Sequence, residues 1–180
     1  LNNLFVWVAL ALIILFQEDI RRALARAGAT FFGRTARATD ANVQEDLIRA
    51  CFVLAHRKIG ALIAIERTAG LDGYLEGSHA LDAHVSTELV SAIFHPTSPI
   101  HDGALIVAGN RVRAASVFLP ISMQKTQRRA YGTRHRAAVG LTDATDAVCL
   151  VVSEERGTVS LVQNGEVTPV ADQNDLRQRL

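Results

Sequence analysis

The chain has 180 residues and a formal net charge of +1, and 49% of its residues are hydrophobic and 21% charged. A chain of this length normally folds as one domain with its own core, and the near-neutral charge argues against a long nucleic-acid partner. The two cysteines, Cys51 and Cys149, lie in apolar segments and are predicted to be buried reduced thiols, not a disulfide or a metal pair.

The first predicted element is an apolar helix over residues 4–16 (LFVWVALALIILF), which carries no charge. It is shorter than the roughly 20 residues that span a bilayer, but the chain starts at Leu1, so we expect upstream residues to be missing. Arginines follow in QEDIRRALARAG, a position that favours the cytoplasmic side of a membrane. We interpret residues 1–28 as the end of a transmembrane anchor with an amphipathic linker helix, and residues 29–40 as a linker. The alternatives are a buried core helix and a signal peptide, whose charges would precede the apolar run.

Residues 41–180 are predicted to form one α/β domain, with a mixed central β-sheet flanked by helices. Apolar residues at helical spacing predict helices, short isoleucine- and valine-rich segments predict strands, and Gly-Asn or Asn-Gly pairs predict hairpin turns. In chain order, the predicted elements are a helix over 43–54, a strand over 59–67, a helix over 82–95, a hairpin of strands 104–108 and 111–119, a short helix over 135–146, a strand over 147–155, a second hairpin over 158–170 and a surface helix over 172–180.

A first group of candidate site residues lies where a strand begins. In HPTSPIHDGALIV, His101 and Asp102 precede the small residues Gly103 and Ala104, which let a ligand approach the backbone. An aspartate at this junction can bind a divalent metal or accept a proton from a hydroxyl, although Asp-Gly is also common in simple turns. His-Asp pairs occur in metal-dependent phosphohydrolases too, but there they lie on helices, and this pair leads into a strand.

A second group is the segment GTRHRAA, which contains Gly132, Thr133, Arg134, His135 and Arg136. The charges of a solvated helix face are spaced three or four residues apart, because neighbours in sequence point in different directions. Three adjacent cationic or near-cationic side chains after a glycine and a hydroxyl are more typical of an anion site.

A third group, Ser153 and Glu155, ends the buried strand AVCLVVSEE, where ligands of α/β sheets gather. A solvated exit from the core is the plainer interpretation. Together with Asp102 and the arginines, these residues form the set that phosphoryl or nucleotidyl transfer uses. The usual P-loop and dinucleotide glycine motifs are absent from the sequence.

These motifs together resemble the diadenylate cyclase domain, a family that makes cyclic di-AMP from two ATP molecules. KIGALIAIER, LDAHVSTEL, PIHDGA, FLPIS, GTRHRAAVGLT and VVSEE occur in that family's order and approximate spacing, over residues 40 to 170. The apolar helix that runs into FQEDIRRALARAG is similar to the last membrane helix and linker of the membrane-bound type. The resemblance therefore implies the diadenylate cyclase fold for residues 41–180.

The resemblance also implies roles for the candidate residues. Asp102 would bind the catalytic metal, Mg²⁺ or Mn²⁺, and help activate the ribose 3′-hydroxyl, with His101 and Glu155 as further metal ligands. Phe118 would stack on adenine, where many members have tyrosine, and Leu119 would flank it. The implied catalytic residues are Asp102, Arg134, His135 and Arg136, and the implied ATP-binding residues are Gly103, Ala104, Phe118, Leu119, Gly132, Thr133, Arg134, His135, Arg136, Ser153 and Glu155.

The implied reaction condenses two ATP molecules and releases two pyrophosphates at a two-fold interface of a homodimer. The implied location is the cell membrane with the catalytic domain on the cytoplasmic side, and a membrane-linked regulator and a phosphoglucosamine mutase are the implied partners. Two other classes of protein remain as alternatives: a catalytically silent module that binds adenine nucleotides, and a phosphohydrolase that would release AMP or ADP.

Overall fold

The computed structural model describes residues 6–8, 12, 41–122 and 131–180. Contacts divide the chain into two compact units, Leu1–Arg34 and Thr35–Leu180. In the first unit, Val6, Trp7, Val8 and Leu12 are helical with exposed side chains. The rest of the predicted anchor and the predicted linker lie outside the described residues. Within the described residues, no helix is long and apolar enough to cross a membrane, so the anchor stays a prediction.

The second unit has four helices and seven strands in its described ranges. In chain order they are α1 (Ala41–His56), β1 (Ala61–Ile65), β2 (His79–His84), α2 (Thr87–Ile93), β3 (Ala104–Ala108), β4 (Arg111–Val117), α3 (Thr133–Ala144), β5 (Val148–Val152), β6 (Val159–Gln163), β7 (Glu166–Val170) and α4 (Gln173–Arg179), with a short 3₁₀ helix at Asp72–Tyr74 between β1 and β2.

The strands form one mixed sheet in the order β2-β4-β3-β1-β5-β6-β7. β1 and β3 are parallel, and each of the other neighbouring pairs is antiparallel. The three central strands β3, β1 and β5 are buried along their whole length, because helices cover both faces of the sheet. The predicted mixed sheet with flanking helices is confirmed.

The core has two layers, one on each face of the sheet. Side chains of β1 alternate between them: Ile63 lies in the layer shared with α1, α2 and α4, whereas Leu62 lies in the layer shared with α3. Cys51 and Cys149 are fully buried free thiols, as predicted, one in each layer. Burial without a charged partner raises the pKa of each thiol to about 12.

The helix predicted over 82–95 is wrong in its first five residues. The chain forms strand β2 up to His84, and helix α2 begins only at Thr87, where the Ser86 side chain caps it by accepting from the Leu89 amide at 3.1 Å. Among the described strands, β2 lies at the edge of the sheet and pairs with β4 alone. Its polar, partly exposed sequence HALDAH therefore lacks the apolar alternation that marks a strand with one buried face.

The hairpin of β3 and β4 contains a bulge close to its open end. Ala104 pairs with Val117 but Ile106 pairs with Ala114, so β4 has one extra residue between these pairs. Within this stretch Ser116 has a φ of 56°, the left-handed region that favours glycine. Gly103, directly before the facing strand β3, also has a positive φ of 97°, and a Cβ atom there would lie 2.8 Å from the carbonyl carbon of Ser116. The two backbones can approach this closely only because residue 103 has no side chain.

Candidate active site

The sheet topology gathers the predicted site segments at one edge. Because β1 and β3 are parallel and β5 and β4 run against them, the starts of β1 and β3 lie beside the ends of β5 and β4. Four segments therefore meet there: Gly60, Asp102–Gly103, Phe118–Leu119 and 153–155. We call these four segments the site edge.

A cavity of about 240 Å³ opens where α3 approaches this edge. The cavity is lined by residues 131–135 at the start of α3, by residues 152–156 at the end of β5, and by parts of β6 and β7. The structure therefore brings residues 132–135 of the predicted GTRHR motif and all of SEE into one cavity, whereas Arg136 is not among the residues that line it. Asp102 is not among the residues that line it.

An ion pair fixes the first arginine of the cavity. Arg134 Nη1 lies 2.8 Å from Glu154 Oε2, and the pair lies above Gly60, where a Cβ atom would be 2.7 Å from that carboxylate oxygen. Glu154 was not predicted as a site residue, whereas its neighbours Ser153 and Glu155 were. All three line the cavity.

The start of α3 has the features of an anion site. Gly132 is the N-cap and offers no side-chain cap, and the first amide that bonds within the helix is that of Arg136, 3.2 Å from the Gly132 carbonyl. The amides of the first turn are therefore available to an anion, which the helix dipole also favours. Among the described residues, the Nε atoms of Arg134 and Arg136 are buried without a hydrogen-bond partner. Arg134 also lines the cavity, so a ligand with acceptor oxygens bound there would lie beside one of these two donors.

His135 faces the protein interior. Only 8% of it is exposed, its ring stacks on Tyr131 with centroids 5.0 Å apart, and its Nε2 lies 3.4 Å from the hydroxyl of Ser160 on β6. Burial lowers the pKa of this imidazole, and the positive charge of Arg156 lowers it further. His135 is therefore held neutral at the back of the cavity, between two arginines that carry permanent charge.

The residues before β3 lie beside this cavity along the site edge. His101 Nδ1 lies 2.6 Å from the Ser98 carbonyl, and one carboxylate oxygen of Asp102 accepts from the Gly103 amide at 3.0 Å. Asp102 is exposed, and Ala104 is buried as the first residue of β3. Within the described ranges, no group of three or more His, Cys, Asp or Glu side chains is placed to hold a metal ion, so His101, Asp102 and Glu155 do not form a preassembled triad.

The segment after β4 links the site edge to α3. Phe118 is 72% exposed, whereas Leu119 is partly buried against the α3-side core. The Ser122 amide donates to the Arg136 carbonyl at 3.0 Å, and a Cβ atom on Gly140 would lie 3.0 Å from the carbonyl carbon of Pro120. Close backbone contact with α3 thus holds the predicted base-binding residues near the helix that carries the predicted anion site.

Two cavity residues had no signal in the sequence. Tyr131 stacks on His135, and Arg156 lies on the turn after β5, where its amide donates to the Ser153 hydroxyl at 3.3 Å. The Gly157 amide closes the turn on the Ser153 carbonyl at 2.8 Å. The glycine at position 157, which adopts a positive φ of 63°, indicates a chain reversal from the sequence. The sequence does not indicate which side of the turn Arg156 faces.

An α/β sheet edge with a glycine floor, a helix N-terminus and buried arginine donors defines a nucleotide-binding domain of the phosphate-recognising class. The family model described as "DisA bacterial checkpoint controller nucleotide-binding", abbreviated DAC, matches residues 48–167. The chain belongs to this family.

Similar proteins cover the chain almost completely. It is 40% identical over 184 residues to cyclic di-AMP synthase CdaA of Bacillus subtilis, covering 100% of this chain and 67% of that protein. It is 37% identical over 183 residues to a diadenylate cyclase of Listeria monocytogenes, covering 99% of this chain and 67% of the relative.

Two solved structures have the same fold as this chain. A double mutant of DacA from Staphylococcus aureus superposes with a TM-score of 0.74 at 37% identity, covering 77% of this chain and 92% of the other. A protein from Bacillus cereus described as a hypothetical membrane spanning protein superposes with a TM-score of 0.71 at 35% identity, covering 88% and 79% of the two chains. These likenesses confirm the family and the fold that the motifs predicted.

Proposed function

We propose that this protein is a diadenylate cyclase, which condenses two ATP molecules into cyclic di-AMP and releases two pyrophosphates. Each ribose 3′-hydroxyl oxygen bonds to the α-phosphorus of the other nucleotide, the bond from that phosphorus to the bridging oxygen breaks, and the hydroxyl proton is released. The observation that carries the proposal is the cavity at the start of α3, which Arg134 lines together with Gly132 and Thr133, the residues that open the helix. Family membership and the names of the relatives agree with it.

The start of α3 would bind the triphosphate. Gly132 and Thr133 give the phosphate oxygens access to the first-turn amides, and Arg134 and Arg136 offer guanidinium donors that suit phosphate. His135, buried and neutral, would hold the helix start against β6, and the Ser153 hydroxyl lines the same cavity. These groups would stabilise the negative charge on the departing pyrophosphate.

The residues before β3 fit a divalent metal. A carbonyl oxygen can only accept, so His101 donates from Nδ1 to Ser98 and keeps Nε2 as an acceptor that can bind a metal. The exposed Asp102 carboxylate follows it directly. Since one chain presents no group of three such ligands in its described part, we expect phosphate oxygens of ATP, together with Glu155, to complete the coordination. Mg²⁺ or Mn²⁺ would offset phosphate charge and lower the pKa of the attacking hydroxyl.

The base would lie along the segment after β4. Phe118 presents an exposed ring that can stack on adenine, and Leu119 flanks it. Gly103 and Ala104 would form the floor under the nucleotide, since neither residue has a side chain beyond Cβ.

Ring closure needs two chains. Each nucleotide supplies one hydroxyl and one α-phosphorus, so two bound ATP molecules must face each other across a two-fold axis. The exposed positions of Asp102 and Phe118 leave the site edge accessible to a second protomer. We therefore propose a homodimer as the active species.

We further propose that residues 1–28 attach the protein to the cell membrane, with the catalytic domain on the cytoplasmic side. The apolar run followed by arginines supports this, as does the similarity to a protein described as membrane spanning. By family resemblance, a membrane-linked regulator and a phosphoglucosamine mutase are the expected partners.

The test is a product assay with ATP and either Mn²⁺ or Mg²⁺, read by mass spectrometry. We expect cyclic di-AMP from the parent and none from Asp102→Asn, which keeps the size of the side chain but loses its charge. Asp82→Asn is the matched control. Asp82 lies on the edge strand β2, and its exposed carboxylate pairs with Arg111 of β4.

The other two classes of function predict different results. ATP binding without product, in a protein shown to dimerise, would favour the catalytically silent module. AMP or ADP as the product, independent of protein concentration, would favour a phosphohydrolase and overturn the cyclase.

A further inference from the structure

We infer that Arg156 is a further phosphate-binding residue of this chain, which offsets the carboxylate charge of the cavity and binds the pyrophosphate portion of ATP. This inference rests on the proposed function, since it adds a ligand to the same site. Neither the motifs nor the implied family roles include Arg156.

The turn after β5 places Arg156 at the cavity. Residues 153–157 are held by two hydrogen bonds to Ser153, from the Arg156 amide to its hydroxyl at 3.3 Å and from the Gly157 amide to its carbonyl at 2.8 Å. Arg156 then lines the same cavity as Thr133 and Arg134. The effect of its charge on buried His135 is an independent sign that the guanidinium lies on this side of the turn.

The charges of the cavity give Arg156 a function. The charged lining residues are Arg134, Arg156, Glu154 and Glu155, and His135 is neutral. The two arginines and two glutamates cancel, whereas the same lining without Arg156 would carry one net negative charge. Since ATP is polyanionic, this charge would repel it at the position where the phosphates are expected.

Arg134 cannot meet this need alone. Its Nη1 is held 2.8 Å from Glu154, so much of its charge is already offset within the protein. Arg156 is the second cation of the cavity lining, and a guanidinium has a planar fork of donors that matches phosphate oxygens. Loss of Arg156 is therefore expected to weaken binding of the phosphate chain more than it slows the chemical step.

The experiment compares Arg156→Gln, Arg156→Lys and the parent in steady-state kinetics with ATP. We expect Arg156→Gln to raise KM for ATP roughly tenfold with a smaller change in kcat, and to weaken product inhibition by pyrophosphate by a similar factor. The KM of Arg156→Lys should lie between those of the parent and Arg156→Gln, because lysine keeps the positive charge but lacks the planar arrangement of donors. Arg49→Gln is the matched control: it removes the same charge from an exposed side chain on α1.

Two outcomes would overturn the inference. One is an Arg156→Gln enzyme with the same KM and the same pyrophosphate inhibition as Arg49→Gln, which would mean that only total charge matters. The other is a loss of kcat with unchanged KM, which would place Arg156 in the chemical step or in the fold.

Calorimetric titration with pyrophosphate separates this inference from the proposed function. If the parent makes no cyclic di-AMP but binds pyrophosphate, weaker binding by Arg156→Gln still identifies Arg156 as a phosphate ligand. Equal binding by the parent and Arg156→Gln excludes it.

Discussion

At the scale of single residues, Gly60 determines how closely Arg134 and Glu154 can approach β1. The residue precedes the first strand, and both members of the ion pair pass over its α-carbon. A side chain here would push them apart, because a Cβ atom would lie 2.7 Å from the Glu154 carboxylate and 2.9 Å from Arg134 Cζ. The absence of a side chain thus keeps the arginine at the mouth of the cavity.

Gly60→Ala is therefore expected to raise KM for ATP several-fold, because Arg134 has to move from its position beside Glu154. Both displaced groups are the ends of flexible side chains, so the melting temperature should fall by only a few degrees, about 1 kcal/mol. Gly73→Ala is the control, since a Cβ atom there meets nothing within 4 Å. Equal KM values for the two variants would show that the ion pair does not position Arg134 for ATP.

The sequence identified the charged segments of the site but not every side chain that faces the cavity. Adjacent basic residues after a glycine predicted the anion site, because that pattern does not suit a solvated helix face. The partner of Arg134 is Glu154, however, which no rule distinguished from Glu155. Alternation of side chains applies along a strand and stops at Val152, after which the turn determines which carboxylate faces the arginine.

At the scale of elements, the bulge in β4 directs the chain from the sheet toward α3. The extra residue shifts the register between Ala104 and Ile106, and Ser116 adopts a left-handed conformation to accommodate it. For a residue with a side chain, this conformation costs about 1 kcal/mol or more. The bulge lies directly before Val117 and the exposed Phe118, so the strain occurs where the base is expected to bind.

Ser116→Gly should remove this strain. Glycine gives back part of the gain through its larger conformational entropy in the unfolded chain, so we expect the free energy of unfolding to stay level or rise by up to about 1 kcal/mol. Urea unfolding measures it, with Ser116→Ala as the control that keeps a Cβ atom and therefore the strain. A loss of stability in Ser116→Gly alone would mean that the bulge is held by the serine and is not strained by it.

The elements themselves differed in how well the sequence predicted them. Both hairpins were predicted correctly because their Gly-Asn and Asn-Gly turns require positive φ, which Gly109, Asn164 and Gly165 adopt. β2 was missed because an edge strand needs only one partner and no apolar face. The bulge had no signal, since serine is not the residue expected at a left-handed position.

At the scale of the whole molecule, the buried thiols report on the cooperativity of the fold. Cys51 lies in the core layer of α1 and Cys149 in the layer of α3, so they lie on opposite faces of the sheet. A thiol with a pKa of about 12 is almost entirely protonated near neutral pH and therefore reacts slowly with disulfide reagents. Neither thiol can react until the core around it opens.

We therefore expect no thiol to react with a disulfide reagent in the native protein, and both to react at one common rate as urea unfolds it. The measurement is the release of the chromophore against time, with the fully denatured chain as the reference for two thiols. Different rates for the Cys51→Ser and Cys149→Ser variants, at matched stability, would show that the two core layers open separately.

The distribution of the site along the chain also has a consequence for protein synthesis. Asp102 and residues 118–119 flank strands β3 and β4, which leave the ribosome before α3 and the strands that complete the cavity. A nascent chain that has emerged only as far as β4 has the proposed metal ligands His101 and Asp102 but lacks the cavity that we propose binds the triphosphate. Domains generally complete their fold only once the whole unit has emerged, so the proposed ATP site is expected to form only after β7 has been translated. We therefore expect a chain truncated after β4 to bind ATP far more weakly than the intact chain.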